Sequence, residues 1–294
     1  MTYTLWIILT AALVGISCGL VGVFLILRKM AMMADAISHT VLLGIVVAYI
    51  LTHTLSGIYM VIGAALTGIL TTFLVQWFHS RNVPQDASIG VVFTTLFAVG
   101  VILIATKVGN AHLDVQHALM GEITFIPWNV INVPIIGDIP IATFILLVVL
   151  FLVILVLGLF YKEWKITSFD PALAASIGIP VLALHYVFMT LVSITTVAAF
   201  DAVGAIMVVA MLIVPAASAY LWTDRLSIML MLSAFFGVLS AVMGYYFALW
   251  IDSSISGSMA FATGIVFLCS FIFSPKHGLL ARIRPSTGSS IKLR

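Results

Sequence analysis

The stretch MADAISHTVLLGIVVAYIL (residues 33–51) opens like an ordinary apolar helix, yet it carries Asp35 and His39 four residues apart. Its apolar run extends from 31 to 51. At ~1.5 Å per residue, that is enough to cross a ~30 Å hydrocarbon core. Eight further runs of this kind follow from the same criterion. The nine predicted spans are 5–27, 31–51, 57–78, 88–106, 140–161, 182–199, 203–222, 227–249 and 256–273. The stretch 182–222 is apolar almost throughout, so the chain must turn there within or at the edge of the membrane.

Composition supports this reading. Hydrophobic residues make up 63% of the 294 and charged residues 7%, against about 45–50% and 25% in soluble domains. The fold class is therefore an all-α polytopic membrane protein. The net charge of +2 carries no nucleic-acid signature. Cys18 and Cys269 lie in separate apolar runs, without disulfide-framework or metal-ligand spacing, and read as packing residues. The N-terminus lacks a basic segment and a cleavage site, so it reads as a first span. Gly15 and Gly19 form a GxxxG, and Ala64 and Gly68 repeat the small-residue spacing, as expected of closely packed transmembrane helices. Pro215 is expected to kink its span.

Loop charge sets the orientation. With the N-terminus outside, eleven of the twelve Lys and Arg residues fall on the inner side, and only Lys107 is outside. The outer segment 107–139 holds His112, Asp114, His117, Glu122 and Asp138, and is expected to form short surface helices. The inner segment 162–181 reads as a short amphipathic helix that starts at Asp170-Pro171 and ends at Gly178 and Pro180. The tail 276–294 is basic and polar.

The chain has no GxxxxGK[ST], so it carries no P-loop; HExxH and GxSxG are also missing. The chemistry must then lie in ionisable groups inside spans, which are costly there and mark function by default. Residues at i and i+4 share a helix face. Asp35 and His39 thus form half of a transition-metal site acceptable to Mn(II), Fe(II) or Zn(II). From spacing alone, a packing hydrogen bond and a pH-sensing pair remain open. His53, His79 and His185 sit at span ends and read as interfacial, and His277 belongs to the tail.

Four stretches in order resemble one family. GVFLILRKMAMMADAISHTVLLGIVVAY (22–49) is similar to the signature region of bacterial permeases for manganese, zinc and iron in the ATP-binding-cassette superfamily. HLDVQHALMGEITFIP (112–127), SFDPALAASIGIP (168–180) and AVGAIMVVAMLIVPAASAYLWTDRL (202–226) resemble the family's outer segment, coupling segment and a late apolar stretch. Ala34 and Leu43 stand where the family usually has glycine and proline. The resemblance covers essentially residues 5–275.

It implies a permease fold like that of metal-chelate and vitamin B12-type importers, with 1–275 as one transmembrane domain and 276–294 as a cytoplasmic tail. It implies a homodimer in a bacterial cytoplasmic membrane, served by two cytoplasmic ATP-binding subunits and an extracytoplasmic metal-binding protein. Divalent Mn, Zn or Fe would be the cargo, with no resident cofactor and no enzymatic activity of its own. Asp35 and His39 would be the metal ligands. Phe169, Asp170, Pro171, Ala174 and Gly178 would belong to the segment that docks on the ATPase. Asp201 and Glu122 are candidate gate groups. The alternative is a stand-alone proton-coupled carrier, with Asp35–His39 as its proton relay; an intramembrane metalloenzyme is a third class.

One tension remains. A second span starting squarely at the inner surface would put Asp35 only about 6 Å deep and His39 about 12 Å deep, whereas transporter sites lie near the midplane. The turn at 28–33 is therefore expected to be recessed, with its charges facing an inner vestibule.

Overall fold

The computed structural model describes residues 3–53, 57–107, 123–128, 130–133, 137–276 and 278–279. Nine described helices are long and apolar enough to span a membrane. They are α1 (Tyr3–Leu27), α2 (Ala31–Thr52), α3 (Gly57–His79), α4 (Gln85–Lys107), α5 (Ile141–Leu159), α8 (Val181–Val203), α9 (Ala205–Trp222), α10 (Leu226–Ile251) and α11 (Ile255–Phe273). Two short helices, α6 (Tyr161–Phe169) and α7 (Pro171–Ser176), lie between α5 and α8. Each span matches its sequence expectation within four residues.

Among the described residues the interior combines apolar side chains with small and hydroxyl ones, its buried polar side chains being Ser and Thr, while large apolar side chains also cover the outside. This is how a helix bundle in lipid satisfies its polar groups internally. Thr10 and Thr143 share a 2.7 Å hydrogen bond between α1 and α5, and Thr71 donates to Thr40 Oγ1 (2.9 Å) between α3 and α2. By contrast, Tyr59, Ile62, Leu66, Leu70, Phe73 and Trp77 form an exposed stripe along α3.

α1 runs through the centre, packed against α5, α8, α9 and α10. Its glycines make this possible. Gly15 lies against the backbone of Gly237, Ser233 Oγ donates to the Gly19 carbonyl (2.8 Å), and Gly22 abuts the Leu212 carbonyl. A Cβ at Gly22 would overlap that carbonyl, and backbone cannot move aside cheaply. Gly22→Val is expected to lower the melting temperature of the purified chain, with overpacking costing about 1–3 kcal/mol or more. Gly264→Ala, which meets open space, is expected to leave it unchanged or raise it.

α2 hardly touches α1 beyond their turn. It leans instead on α3 and α4, with α8 and α9 behind it. The connection Arg28–Met30 is tight, with Lys29 at φ 57°. Met30 is buried, Arg28 half-buried and Lys29 exposed, so the turn is packed on one side and open on the other.

The break within 182–222 falls at a single residue. α8 continues to Val203, Gly204 turns at φ 80°, and α9 begins at Ala205. This places Asp201 in the last turn of α8, where the sequence put it in a connection. α9 runs unbroken through Pro215.

The outer segment needs correction. Where described, it is not a set of surface helices. A 3-10 helix (Ile123–Trp128) leads into an antiparallel hairpin of β1 (Val130–Val133) and β2 (Gly137–Pro140), with Ile131 opposite Ile139. Val and Ile at these positions fit a pleated strand better than a helix. Residues 108–122, with His112, Asp114, His117 and Glu122, lie outside the described residues, as do His277 and 280–294. Both cysteines are free; Cys18 is buried.

Candidate metal site

Asp35 and His39 sit in the second and third turns of α2, on its one partly open face. Most neighbours in these turns are buried, including Met33, Ala34, Ile37 and Ser38, whereas the side chains of His39 and Asp35 are 32% and 40% exposed. His39 Nε2 lies 3.6 Å from Asp35 Oδ1, too far for a hydrogen bond.

The spacing suits a shared cation. Two ligands each about 2.1 Å from an ion lie about 3.4 Å apart at a tetrahedral angle, and a small rotamer adjustment covers the difference. One side of the imidazole is closed by α4, with Phe93 and Phe97 rings at 5.3 and 5.8 Å. Close approach of α4 to α2 is set higher up, where Gly100 meets the Leu43 backbone. Among the described residues no third His, Cys, Asp or Glu joins the pair. Among the described residues the pair thus stands alone, with one side open. Asp201, exposed at the end of α8, is not brought to them.

The inner connection contains two helices where the sequence suggested one. α7 begins and ends as expected. Asp170 caps it by accepting from the Leu173 N–H (2.9 Å), Pro171 is its first residue, and Gly178 leaves it at φ 84°. Ala174 is buried, while Phe169, Leu173 and Ile177 point outward at 56, 51 and 58% exposure. They form an exposed apolar ridge, with Leu173 on α7, Phe169 at the end of α6 and Ile177 just past α7. The preceding α6 is amphipathic and buries Trp164 completely.

Sequence reasoning missed Arg28 as more than an inner charge. Its Nε donates to Ser168 Oγ (3.1 Å) and a terminal nitrogen donates to Thr167 Oγ1 (2.9 Å). The guanidinium lies 4.9 Å from the Phe188 ring centroid and 5.4 Å from that of Trp164. Burial lowers its pKa to about 10, so it stays charged. One side chain thus ties the end of α6, adjacent to the α7 ridge, to the turn that starts α2. Beside it opens a cavity of about 470 Å³ containing Arg28, Lys29 and His185 in its wall.

These features define a polytopic helical membrane protein that carries an Asp–His pair on one span and a short helix with exposed apolar side chains on a connection. Residues 1–274 match the ABC 3 transport family, and the chain belongs to it. It is 58% identical over 282 residues to the manganese transport system membrane protein MntD of Bacillus subtilis (strain 168), covering 96% of both chains. It is 41% identical to the zinc transport system membrane protein TroD of Treponema pallidum (strain Nichols), covering 95% of this chain and 76% of that one. PsaBC from Streptococcus pneumoniae, solved in complex with Fab, superposes with a TM-score of 0.80 at 34% identity over 96% of this chain and 95% of that one.

Proposed function

We propose that this chain is the membrane permease of an ATP-driven importer of divalent transition metal ions, with manganese the leading cargo and zinc or iron next. Asp35 and His39 bind the ion in transit. The observation that carries this reading is the pair itself: two ionisable ligands on the open face of an otherwise buried span, 3.6 Å apart and unbonded to each other.

Two copies of the chain complete the site, each giving one carboxylate and one imidazole. A half-site with its open side outward is what such sharing needs. Four ligands on two separable bodies bind an ion firmly when together and release it when apart. The extracytoplasmic side receives the ion from a metal-binding protein, and the N-terminus lies on that side. On the cytoplasmic side, the ridge of Phe169, Leu173 and Ile177 seats in an ATP-binding subunit, with Asp170, Pro171, Ala174 and Gly178 holding its shape. Closure of two such subunits moves α7, the Arg28 contacts pass the movement to the α1–α2 turn, and α2 carries the ligands with it. ATP hydrolysis belongs to the partner subunit.

Reconstitution in liposomes tests this reading. Permease together with its ATPase is expected to accumulate manganese on addition of ATP and metal-loaded binding protein. Permease alone is expected to accumulate none under a pH gradient. Proton-driven uptake by the permease alone would overturn the reading in favour of a secondary carrier.

A further inference from the structure

The cavity beside the α1–α2 turn is lined on its polar side by Arg28, Lys29, Gln76, Thr167, Ser168 and His185, and no carboxylate lines it. Among the described residues neither Arg28 nor Lys29 is paired with an acid. The nearest acid in sequence to this wall, Asp170, is engaged in capping α7. Arg28 is half withdrawn from water, its Nε and one terminal nitrogen are bound to neutral hydroxyls, and its other terminal nitrogen has no hydrogen-bond partner among the described residues. A partly buried cation without a counter-ion is costly, and an anion in the adjoining space removes that cost.

The volume and chemistry of the space narrow the anion. At about 470 Å³ the cavity lies within the roughly 300–1,000 Å³ range of small-ligand pockets. That is far more than a chloride needs. A guanidinium, an ammonium and an amide lining one volume, with the Thr167 hydroxyl already spent on the Glu163 carbonyl, match the donors a tetrahedral oxyanion takes. The rest of the wall is apolar, including Leu27, Val181 and Leu182, as a glycerol backbone and its first acyl carbons require. On the reading that this face is cytoplasmic, the cavity stands at the inner-leaflet interface, where anionic headgroups collect around basic residues.

We propose that this cavity binds a phosphate-bearing anion, either the headgroup of an anionic phospholipid or free inorganic phosphate. Bound there, the phosphate bridges Arg28 and Lys29 of the turn to Gln76 of α3 and His185 of α8. It thereby holds the start of the ligand-bearing helix α2 against its neighbours.

The test uses the full-length permease with its ATPase subunit, and reads binding independently of transport. Native mass spectrometry after extraction from nanodiscs of equal phosphatidylglycerol and phosphatidylcholine is expected to show phosphatidylglycerol retained and phosphatidylcholine lost. Lys29→Asn removes the charge while suiting the left-handed backbone at φ 57°. It is expected to cut that retention at least about tenfold, the value of one charge-assisted hydrogen bond. Gln76→Leu serves as a second variant should Lys29→Asn fold poorly. In a parallel arm, delipidated protein in neutral detergent is melted with inorganic phosphate or with chloride at matched ionic strength. Selective lipid retention sensitive to these variants identifies the headgroup, and a variant-sensitive phosphate stabilisation identifies the free anion. Absence of both effects, or effects that both folded variants leave intact, overturns the proposal. Loss of metal transport in the liposome experiment would leave this readout unchanged, so the two readings fail separately.

Discussion

Asp35→Ala and His39→Ala are each expected to abolish ATP-driven manganese uptake while leaving the fold intact. The two halves of this expectation rest on the same geometry. Neither side chain makes a hydrogen bond that holds helices together; the 3.6 Å separation of Nε2 and Oδ1 is too long for one. The local hydrogen bond at this turn runs from Ser38 Oγ to the Asp35 backbone carbonyl (2.7 Å) and survives substitution of the aspartate side chain. The melting temperature should therefore stay close to wild type for Asp35→Ala, and fall only modestly for His39→Ala, which also loses the ring packing on Phe93 and Phe97. Uptake should not stay close in either variant. Even a group that only hydrogen-bonds a metal ligand costs roughly 10–100-fold when removed, so loss of a direct ligand should exceed about 100-fold. In a dimer each substitution removes two ligands at once. Asp35→Asn is the sharper variant, because it keeps size and polarity but loses the charge that offsets the ion. The measurement is manganese, zinc and iron accumulation by cells and by proteoliposomes, alongside a melt. Unchanged accumulation of all three metals would remove Asp35 from the transport path. A variant that transports normally but melts early would restore the packing reading.

What the sequence shows and what it hides differ for physical reasons. The nine spans were legible because each needs about 20 apolar residues and is punctuated by charge, Gly or Pro. The proximity of Asp35 and His39 was legible because a helix returns to the same face about every fourth residue. The Gly204 junction was not, since hydropathy is flat across 182–222; only the positive φ at that glycine marks where α8 stops. The outer hairpin was missed because strands of four residues, Val130–Val133 and Gly137–Pro140, leave too short an alternation to outweigh the polarity around them. Arg28 was read only as one of the inner charges. Its engagement with Thr167 and Ser168, some 140 positions away, is a tertiary fact with no local signal. The nearest hint was Trp164 in a segment otherwise polar enough to lie at a surface, and a tryptophan buried there needs something to pack on.

That contact leads to the second large effect. Arg28→Gln is expected to uncouple the importer: the reconstituted complex keeps hydrolysing ATP but moves little metal. The guanidinium joins three elements. It donates to Ser168 and Thr167 at the end of α6, one and two residues before the exposed Phe169, and it is packed between the rings of Trp164 on α6 and Phe188 on α8. Its own backbone begins the turn into α2, seven residues before Asp35. In the proposed mechanism a movement of α7 would reach α2 through this one side chain. Glutamine keeps neither the charge nor the stacked plane. Arg28→Lys keeps the charge but cannot make the forked contact to two hydroxyls while staying against both rings, so it should rescue only in part. Hydrogen bonds from a charged donor are worth about 1.5–3 kcal/mol each, and a desolvated cation–π contact about 2. These terms overlap in one side chain and do not simply add. Coupling free energies between distant sites run at about 1–3 kcal/mol, so metal moved per ATP hydrolysed should fall by roughly 5–150-fold. The ratio is the decisive readout. A purely structural Arg28 would lower hydrolysis and transport together, through less folded protein, and leave metal per ATP unchanged. An Arg28 that links α6 to α2 lowers the ratio in protein whose melt and basal hydrolysis are retained.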